Sequence, residues 1–377
     1  MSNLSIIDSH VHLWPESEVD KIRWTKGTII RNKQSIDEYL KATDDCKPTQ
    51  ERGVHGFIFI EADRDRLTSL DDEWHVPLEE LRWIERAILP QPDGSNERGR
   101  HLCLGVVAWG PVARGRAVME SYLGLLQRSL GFVTEAGPAN GKSILKGFRH
   151  VIRDESQYIT QPDMIDSLKW LGEKGYTFDI TVDASQNGLQ QMIHLLDMIT
   201  KAHQGVEEGK KVKIVIDKMQ WPAYDPQLAN ISLNPGHSSS DFDFGGWAYG
   251  GWTYMITMLA QCSNVFMKVS GGFSLMSSSP VRGSQTSTGF QSHADTLNRI
   301  EPLLGVILSS FGTHRIMFGS DWPACNIEGG GNDMGWINWF TVIRRWAERL
   351  PASEQECLWS LNAARAYNIP INDQACQ

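Results

Sequence analysis

The sequence predicts an α/β fold of the (β/α)8-barrel, or TIM-barrel, class, and three observations support this prediction. Eight short runs rich in β-branched, aromatic and aliphatic residues recur along the chain, separated by longer segments with apolar residues at helical spacing. No Pro-, Gly- or Ser-rich linker divides the 377 residues. Hydrophobic residues make up 41% of the chain and charged residues 21%, which is enough for a large core. We therefore expect one barrel domain over residues 1–377.

The eight apolar runs are predicted as strands, and they cover residues 5–12, 56–62, 102–109, 144–150, 176–182, 213–218, 265–270 and 315–320. Helices are expected at residues 35–43, 77–87, 116–130, 162–174, 188–201, 251–261, 294–311 and 336–349, with a terminal helix over 353–367. Strands that alternate with helices are typical of a parallel sheet. Eight such units favour a closed barrel over an open sheet.

Three long segments rich in glycine or serine are predicted as loops, over residues 90–100, 219–250 and 271–293. The last two directly follow predicted strands. In a barrel they would lie at the C-terminal face, where substrate sites are built. The alternative is that they are tolerated surface insertions.

Composition and charge exclude several functional classes. The formal net charge of −9 argues against a general nucleic-acid binder, which would show a basic face. No apolar stretch approaches the ~20 residues that cross a bilayer, and the N-terminus does not resemble a signal peptide. Six scattered cysteines form no CxxC pair. We expect a cytoplasmic protein with a small-molecule substrate and neither nucleic-acid nor membrane partners, while an oligomer remains open.

The first predicted strand ends in two histidines, His10 and His12, at alternate positions. Because side chains alternate along a strand, both imidazoles should point to the same side, which is the lumen of a barrel. Two imidazoles there can share a metal ion, or one can orient a substrate while the other donates a proton.

The last predicted strand runs into Phe-Gly-Ser-Asp-Trp-Pro, which places the carboxylate of Asp321 at the barrel mouth. An aspartate at such a position can act as a general base or a metal ligand. The structural alternative is an N-cap or an Asx turn.

Together these two ends resemble the amidohydrolase superfamily. The sequence carries IIDSHVHL near its start, FGSDWP at the eighth strand and SLNAARAY at 360–367. Within the superfamily, it resembles the amidohydrolase-2 (amidohydrolase-related) group of decarboxylases and sugar or pyrone lactonases. The segments at 146–149, 178–179 and 267–271 look like strand motifs of the lactonase branch. The segments at 56–64, 74–78 and 108–111 resemble fungal L-rhamnono-γ-lactonase-like proteins.

The sequence departs from the metal-dependent members of this group at two positions. Those members carry histidines at the ends of the fifth and sixth strands, whereas this chain has Asp179 and Lys218 there. A protonated lysine offers no lone pair to a metal. We therefore do not expect a binuclear centre. A single Zn²⁺ held by His10, His12 and Asp321 and a metal-free pocket both remain open.

The resemblance implies a hydrolase that opens a lactone with an activated water. On this interpretation Asp321 is the base, and His10, His12 and Lys218 share the catalytic work. A decarboxylase of an aromatic or unsaturated acid is one alternative, and a barrel that binds a ligand without catalysis is another.

The remaining candidates are residues near predicted strand ends that could bind the substrate. Lysine and arginine can polarise a carbonyl or hold a carboxylate, and tryptophan can pack against a ring. Since eight of the 14 tryptophans lie near the predicted C-terminal rim, we expect an aromatic wall. The candidate substrate-binding residues are Arg149, Glu61, Lys268, His75, Trp109, Asp179, Trp221 and Trp322.

Overall fold

The computed structural model of the chain describes eleven stretches of sequence. They are residues 5–44, 53–65, 74–89, 101–134, 143–152, 156–182, 189–218, 244–275, 290, 292–331 and 334–370. The predicted loop at 90–100 and most of the predicted loops at 219–250 and 271–293 lie outside these residues.

Eight parallel strands form one sheet in the order in which they occur along the chain. They are β1 (Ile6–Val11), β2 (Val54–Ile60), β3 (Cys103–Trp109), β4 (Leu145–Val151), β5 (Thr177–Thr181), β6 (Lys213–Ile216), β7 (Val265–Val269) and β8 (Ile316–Phe318). Every predicted strand is confirmed. The strands read as nearly continuous apolar runs because helices cover the outside and side chains fill the inside.

Helices lie between the strands and after β8. The α-helices are α1 (Ile36–Asp44), α2 (His75–Ile88), α3 (Arg116–Ser129), α4 (Pro162–Lys174), α5 (Gln190–His203), α6 (Phe244–Ala260), α7 (His293–Phe311), α8 (Cys325–Glu328), α9 (Met334–Ala347), α10 (Ala352–Glu356) and α11 (Asn362–Ala366). One π-helical turn (Cys357–Leu361) joins the last two. Short 3-10 helices cover Glu16–Lys21, Arg23–Thr25, Val112–Arg114, Gln157–Thr160, Glu208–Lys210 and Gly272–Leu275. No helix in the described part of the chain combines the length and apolar character needed to span a bilayer.

The predicted terminal helix over 353–367 is divided by the π-helical turn, and two further elements differ from the sequence prediction near the candidate site. The helix expected from residue 251 begins at Phe244, so α6 extends into a segment whose glycines suggested a loop. Strand β6 ends at Ile216 rather than at Lys218, because Lys218 takes a left-handed backbone conformation with φ +55°. That turn redirects the chain away from the sheet.

The N-terminal end of the barrel is filled by the last helix. Ala363, Ala366 and Tyr367 belong to the same buried cluster as lumen side chains such as Val107 and Val215. Hydrogen bonds tie this segment to the start of a strand, since the Thr177 hydroxyl donates to the Ala366 carbonyl at 2.6 Å. The lumen below the polar layer is therefore a packed core.

The carboxylate of Asp8 connects β1 to the segment that follows β8. Oδ1 accepts the backbone N–H of Ser320 at 2.8 Å, and Oδ2 accepts the Tyr39 hydroxyl at 3.0 Å and the Trp336 indole N–H at 2.8 Å. A parallel bridge between Val11 and Trp322 lies beside it. Asp8 is fully buried, and burial raises its pKa even though these donors oppose the shift. The carboxylate therefore connects four parts of the barrel, namely β1, α1, α9 and the segment after β8.

Replacing Asp8 with asparagine should destabilise the barrel strongly. If one amide oxygen serves the backbone donors, the amide nitrogen faces the donors of Tyr39 and Trp336, and the expected loss is about 2–4 kcal/mol. Tyr39→Phe removes a single bond and should lose about 1 kcal/mol. Thermal unfolding followed by circular dichroism measures both. Equal midpoints for the two variants would contradict the role given to the carboxylate.

Candidate active site

The side chains of His10 and His12 meet in the lumen. The pairing of β1 with β2 shifts register between Asp8 and Val11, so Asp8 faces the helices while His10, two residues later, faces inward. The two Nε2 atoms lie 3.1 Å apart with the rings edge to face. On its far side, Nδ1 of His12 lies 3.0 Å from the Ile60 carbonyl oxygen. Both imidazoles therefore have fixed orientations.

Asp321 reaches the histidines through an unusual backbone. Its φ of +61° lies in the left-handed region, and its N–H donates to the His10 carbonyl at 3.1 Å. The strand approaches β1 closely at Gly319, where a Cβ would lie 3.0 Å from the Ser9 hydroxyl and 3.1 Å from the His10 Cβ. Strain of this kind is typical of functional positions. It places the Asp321 carboxylate beside both imidazoles.

Lys218 faces Asp321 across the mouth of the barrel. Its Nζ lies 3.0 Å from Oδ2 of Asp321, and its side chain is 34% exposed, so the ammonium also reaches the cavity. The aliphatic part of Lys218 lies against Gly271, where a Cβ would stand 3.1 Å from three of its carbons. With φ +70° as well, that position favours glycine.

A layer of buried charges lies directly beneath these residues. Arg149 of β4 donates through Nε to Asp217 at 2.8 Å and through Nη1 to Glu61 at 3.3 Å. Lys268 of β7 donates to Asp179 at 2.6 Å and to Asp217 at 2.9 Å. All five side chains are at most 4% exposed. Each charge therefore has a partner of opposite sign, as burial requires.

Burial also sets the protonation of this layer. It lowers the pKa of His10 to about 4, with the Lys268 ammonium adding to the shift, and it holds the pKa of His12 well below its usual range. Burial raises the pKa of Asp179 to about 7 against the opposing effect of Lys268. Burial alone would raise the pKa of Asp217 too, but Lys268, His10 and Arg149 together hold it well below its usual range. Both histidines are therefore neutral at neutral pH.

A cavity of about 200 Å³ opens at this end of the barrel, and its floor includes Asp321 and Lys218. Aromatic and aliphatic side chains form much of its wall. The lining residues are Trp24, Thr28, Lys218, Gly271, Gly272, Phe273, Ser320, Asp321, Ala324, Cys325, Ile327, Glu328 and Trp339. A small ligand with both apolar and polar faces suits such a cavity.

The ligand atoms of His10, His12 and Asp321 have the spacing that a divalent metal requires. Oδ1 of Asp321 lies 3.5 Å from Nε2 of His10 and 3.8 Å from Nε2 of His12. With 3.1 Å between the two nitrogens, a point equidistant from all three atoms lies about 2.0 Å from each, the usual length of a zinc bond. Oδ1 is buried and accepts no hydrogen bond from the described residues. Lys218 bonds the other oxygen and leaves this one available.

The other predicted site residues lie in different places. Glu61, Arg149, Asp179 and Lys268 belong to the buried layer, where they bind one another. His75 is the first residue of α2 and is exposed. Trp221 lies outside the described residues.

The expected aromatic wall has a different composition. Trp322 is fully buried against Tyr39, and Trp109 packs against Tyr122 under the helices. Neither indole is among the residues that line the cavity. Trp24 and Trp339 line the cavity instead.

Sequence reasoning missed Trp24, Asp217 and Asp8. Asp217 had a usable signal, since it interrupts the apolar run of β6 and alternates with the lumen residue Val215. Trp24 had none. Its position depends on a 3-10 turn and on the hydrogen bond from its indole N–H to the Ala62 carbonyl at 2.9 Å.

Comparisons with known proteins agree with this architecture. This chain is 28% identical over 378 residues to the L-rhamnono-gamma-lactonase of Scheffersomyces stipitis, covering 98% of this chain and 100% of that protein. It is 27% identical over 230 residues to the L-fucono-1,5-lactonase of Burkholderia multivorans, covering 60% and 64% respectively. A crystal structure of a Burkholderia multivorans amidohydrolase with bound zinc superposes with a TM-score of 0.64 at 22% identity, over 97% of this chain and 100% of that one.

The structural similarity shows a shared barrel fold. The family assignment comes from the sequence, because the amidohydrolase family profile matches residues 131–369, which is more than half of the chain. The matched region includes the strand that precedes Asp321. This chain belongs to the amidohydrolase family.

Proposed function

We propose that this protein hydrolyses a lactone of a sugar acid, or a related cyclic ester, to the open hydroxy acid. The observation that carries the proposal is the Asp321 carboxylate, which lies between an ammonium and two neutral imidazoles at the floor of the cavity. The two lactonases among its relatives support this substrate class. Asp321, His10, His12 and Lys218 are the proposed catalytic residues.

In the proposed reaction, Asp321 takes a proton from a water molecule as the water oxygen bonds to the lactone carbonyl carbon. The tetrahedral oxyanion then collapses, and the bond between that carbon and the ring oxygen breaks. The ring oxygen takes the proton from Asp321 and becomes a hydroxyl group. The new carboxylic acid releases a proton to solvent, and the Asp321 carboxylate is restored.

Lys218 is proposed to stabilise the charge that develops on the carbonyl oxygen. Its Nζ is held 3.0 Å from Asp321 and reaches the cavity, so it is already oriented before the substrate binds. Preorganised donors of this kind reduce the barrier by about 3–4 kcal/mol. His10 and His12, both neutral, border the base on its buried side.

A divalent metal, when bound, would be held by His10, His12 and Asp321 and would supply a Lewis acid beside the cavity. The chain's own residues keep separate tasks. Lys218 holds Oδ2 of Asp321, and the Ile60 carbonyl fixes the His12 ring.

The cavity wall supports a sugar-like substrate. Trp24 lies edge to face with His12, with 5.9 Å between ring centres, so a sugar ring stacked on the indole would lie next to the proposed base. Thr28 and Glu328 offer polar groups for hydroxyls on the same wall. Sugars combine an apolar C–H face with polar edges, which matches this distribution.

The two alternatives have weaker support. A decarboxylase and a non-catalytic binding barrel both lack a counterpart among the curated relatives described above. A base and an oriented cation sharing one cavity also favour catalysis over binding alone.

We further propose a single domain over residues 1–377, a cytoplasmic location and a role in carbohydrate metabolism.

Proton release from a panel of γ- and δ-aldonolactones tests this function. We expect turnover of at least one deoxy-sugar or sugar lactone, and Asp321→Asn should lose about 100-fold or more in kcat, because an amide cannot accept the proton. The matched control is Asp197→Asn on the exposed face of α5, which should keep full activity. No turnover of any lactone, or an unchanged Asp321→Asn enzyme, would reject the proposal.

Trp24→Ala should raise KM about tenfold with little change in kcat, since about 1–2 kcal/mol of apolar contact with the substrate is lost. Trp24→Phe keeps a ring on the cavity wall, so its KM should lie between the KM values of wild type and Trp24→Ala. Tyr254→Ala is the control, because that aromatic side chain is 62% exposed on α6. Steady-state kinetics with the best lactone measures all three variants. Equal KM values for Trp24→Ala and wild type would remove Trp24 from substrate binding.

A further inference from the structure

Three polar atoms lie within hydrogen-bonding distance of the Lys268 ammonium group, which has no exposure to solvent. Nζ lies 2.6 Å from Oδ2 of Asp179, 2.9 Å from Oδ1 of Asp217 and 3.1 Å from Nδ1 of His10. The Tyr367 ring lies below, with its centre 5.5 Å from Nζ. An ammonium has three N–H donors and no lone pair, so these three acceptors use all of its donors.

The contacts of Lys268 favour one placement of the protons on His10 and His12. If Lys268 donates to Nδ1 of His10, the His10 proton is on Nε2 and points at Nε2 of His12, 3.1 Å away. His12 must accept there, which leaves its own proton on Nδ1, facing the Ile60 carbonyl at 3.0 Å. In this series of contacts from Lys268 to the Ile60 carbonyl, every N–H has an acceptor. All three contacts therefore support the same tautomers, with the His10 proton on Nε2 and the His12 proton on Nδ1.

A metal ion requires the opposite arrangement on His10. A metal held by Nε2 of both histidines needs a lone pair on each of these atoms. His12 already presents one. The His10 proton would have to move to Nδ1, where it meets an N–H of Lys268 and can donate only to Asp217, at 3.4 Å. Lys268 also places a positive charge behind the ligand.

We propose that Lys268 is a positioning residue that acts as a built-in cation. It fixes His10 with its proton on Nε2 and thereby opposes metal binding by His10, His12 and Asp321. The same ammonium lies between the carboxylates of Asp179 and Asp217 and donates to both. This proposal rests on the proposed function for the location of the site. Zinc affinity is measured without a lactone, so a failed lactonase assay and a failed zinc-binding test can be told apart.

Zinc affinity of Lys268→Met tests the proposal. Methionine keeps the length of the chain and removes the donors. We expect the purified, metal-stripped variant to bind Zn²⁺ about 10-fold or more tightly than wild type in a chelator competition, because residues behind a metal ligand change affinity by about 10–100-fold and this change removes a positive charge and a donor to Nδ1. Metal analysis after dialysis should also find more zinc per chain in the variant. Equal or weaker zinc binding by Lys268→Met would overturn the proposal.

Lys146→Met is the matched control, because Lys146 is a buried lysine of β4 that contacts the Asn368 carbonyl at the opposite end of the barrel. Its zinc affinity should equal that of wild type. Tyr367→Phe removes the other donor to Asp179 without touching His10 and should also leave zinc affinity unchanged.

Tautomers provide a test in the unmodified protein, which holds even if Lys268→Met does not fold. Long-range ¹H–¹⁵N spectra of metal-stripped wild type, labelled at histidine and assigned with His10→Gln and His12→Gln, should show the proton of His10 on Nε2 and that of His12 on Nδ1. A His10 proton on Nδ1 would overturn the proposal.

Discussion

The meeting of the first and last strands is the constraint on which the site depends. The donors of Ser320, Tyr39 and Trp336 converge on the Asp8 carboxylate, while backbone bonds join His10 and His12 to the segment after β8. Closing the barrel and assembling the site are therefore the same event. Asp321 meets the histidines only because this seam brings residues more than 300 positions apart into contact. The left-handed backbone at Asp321 is held by that seam.

The charged layer beneath the seam serves function more than stability. A buried ion pair offsets its own desolvation at best, and apolar residues of the same volume would often be equally stable. The hydrogen bonds from Arg149 to Asp217 and from Lys268 to Asp179 and Asp217 instead fix the orientations of these side chains. The orientation of the His10 ring is fixed in turn by the contact between Lys268 and Nδ1 of His10. The layer is thus a rigid, polar foundation under a small and largely apolar-walled cavity.

The sequence predicts the barrel well because both of its signals are local. Apolar runs mark the strands, and helical spacing marks the segments between them. It also places Asp321 near His10 and His12, since all three follow strand ends. It fails where backbone turns decide the outcome. The left-handed φ of Lys218 leaves Asp217 in the buried layer and turns Lys218 toward the cavity. Trp322, predicted to bind substrate, is fully buried, whereas Trp24, which carried no sequence signal, lines the cavity.

The last helix, which fills the N-terminal end of the barrel, affects the order in which the interior can be completed. Tyr367 follows all eight strands in the chain, yet its hydroxyl donates to Asp179 at 2.8 Å in the middle of the barrel. On the ribosome, the strands emerge before this donor does. The Asp179 carboxylate therefore gains its Tyr367 donor only when the segment after β8 docks at the N-terminal end of the barrel.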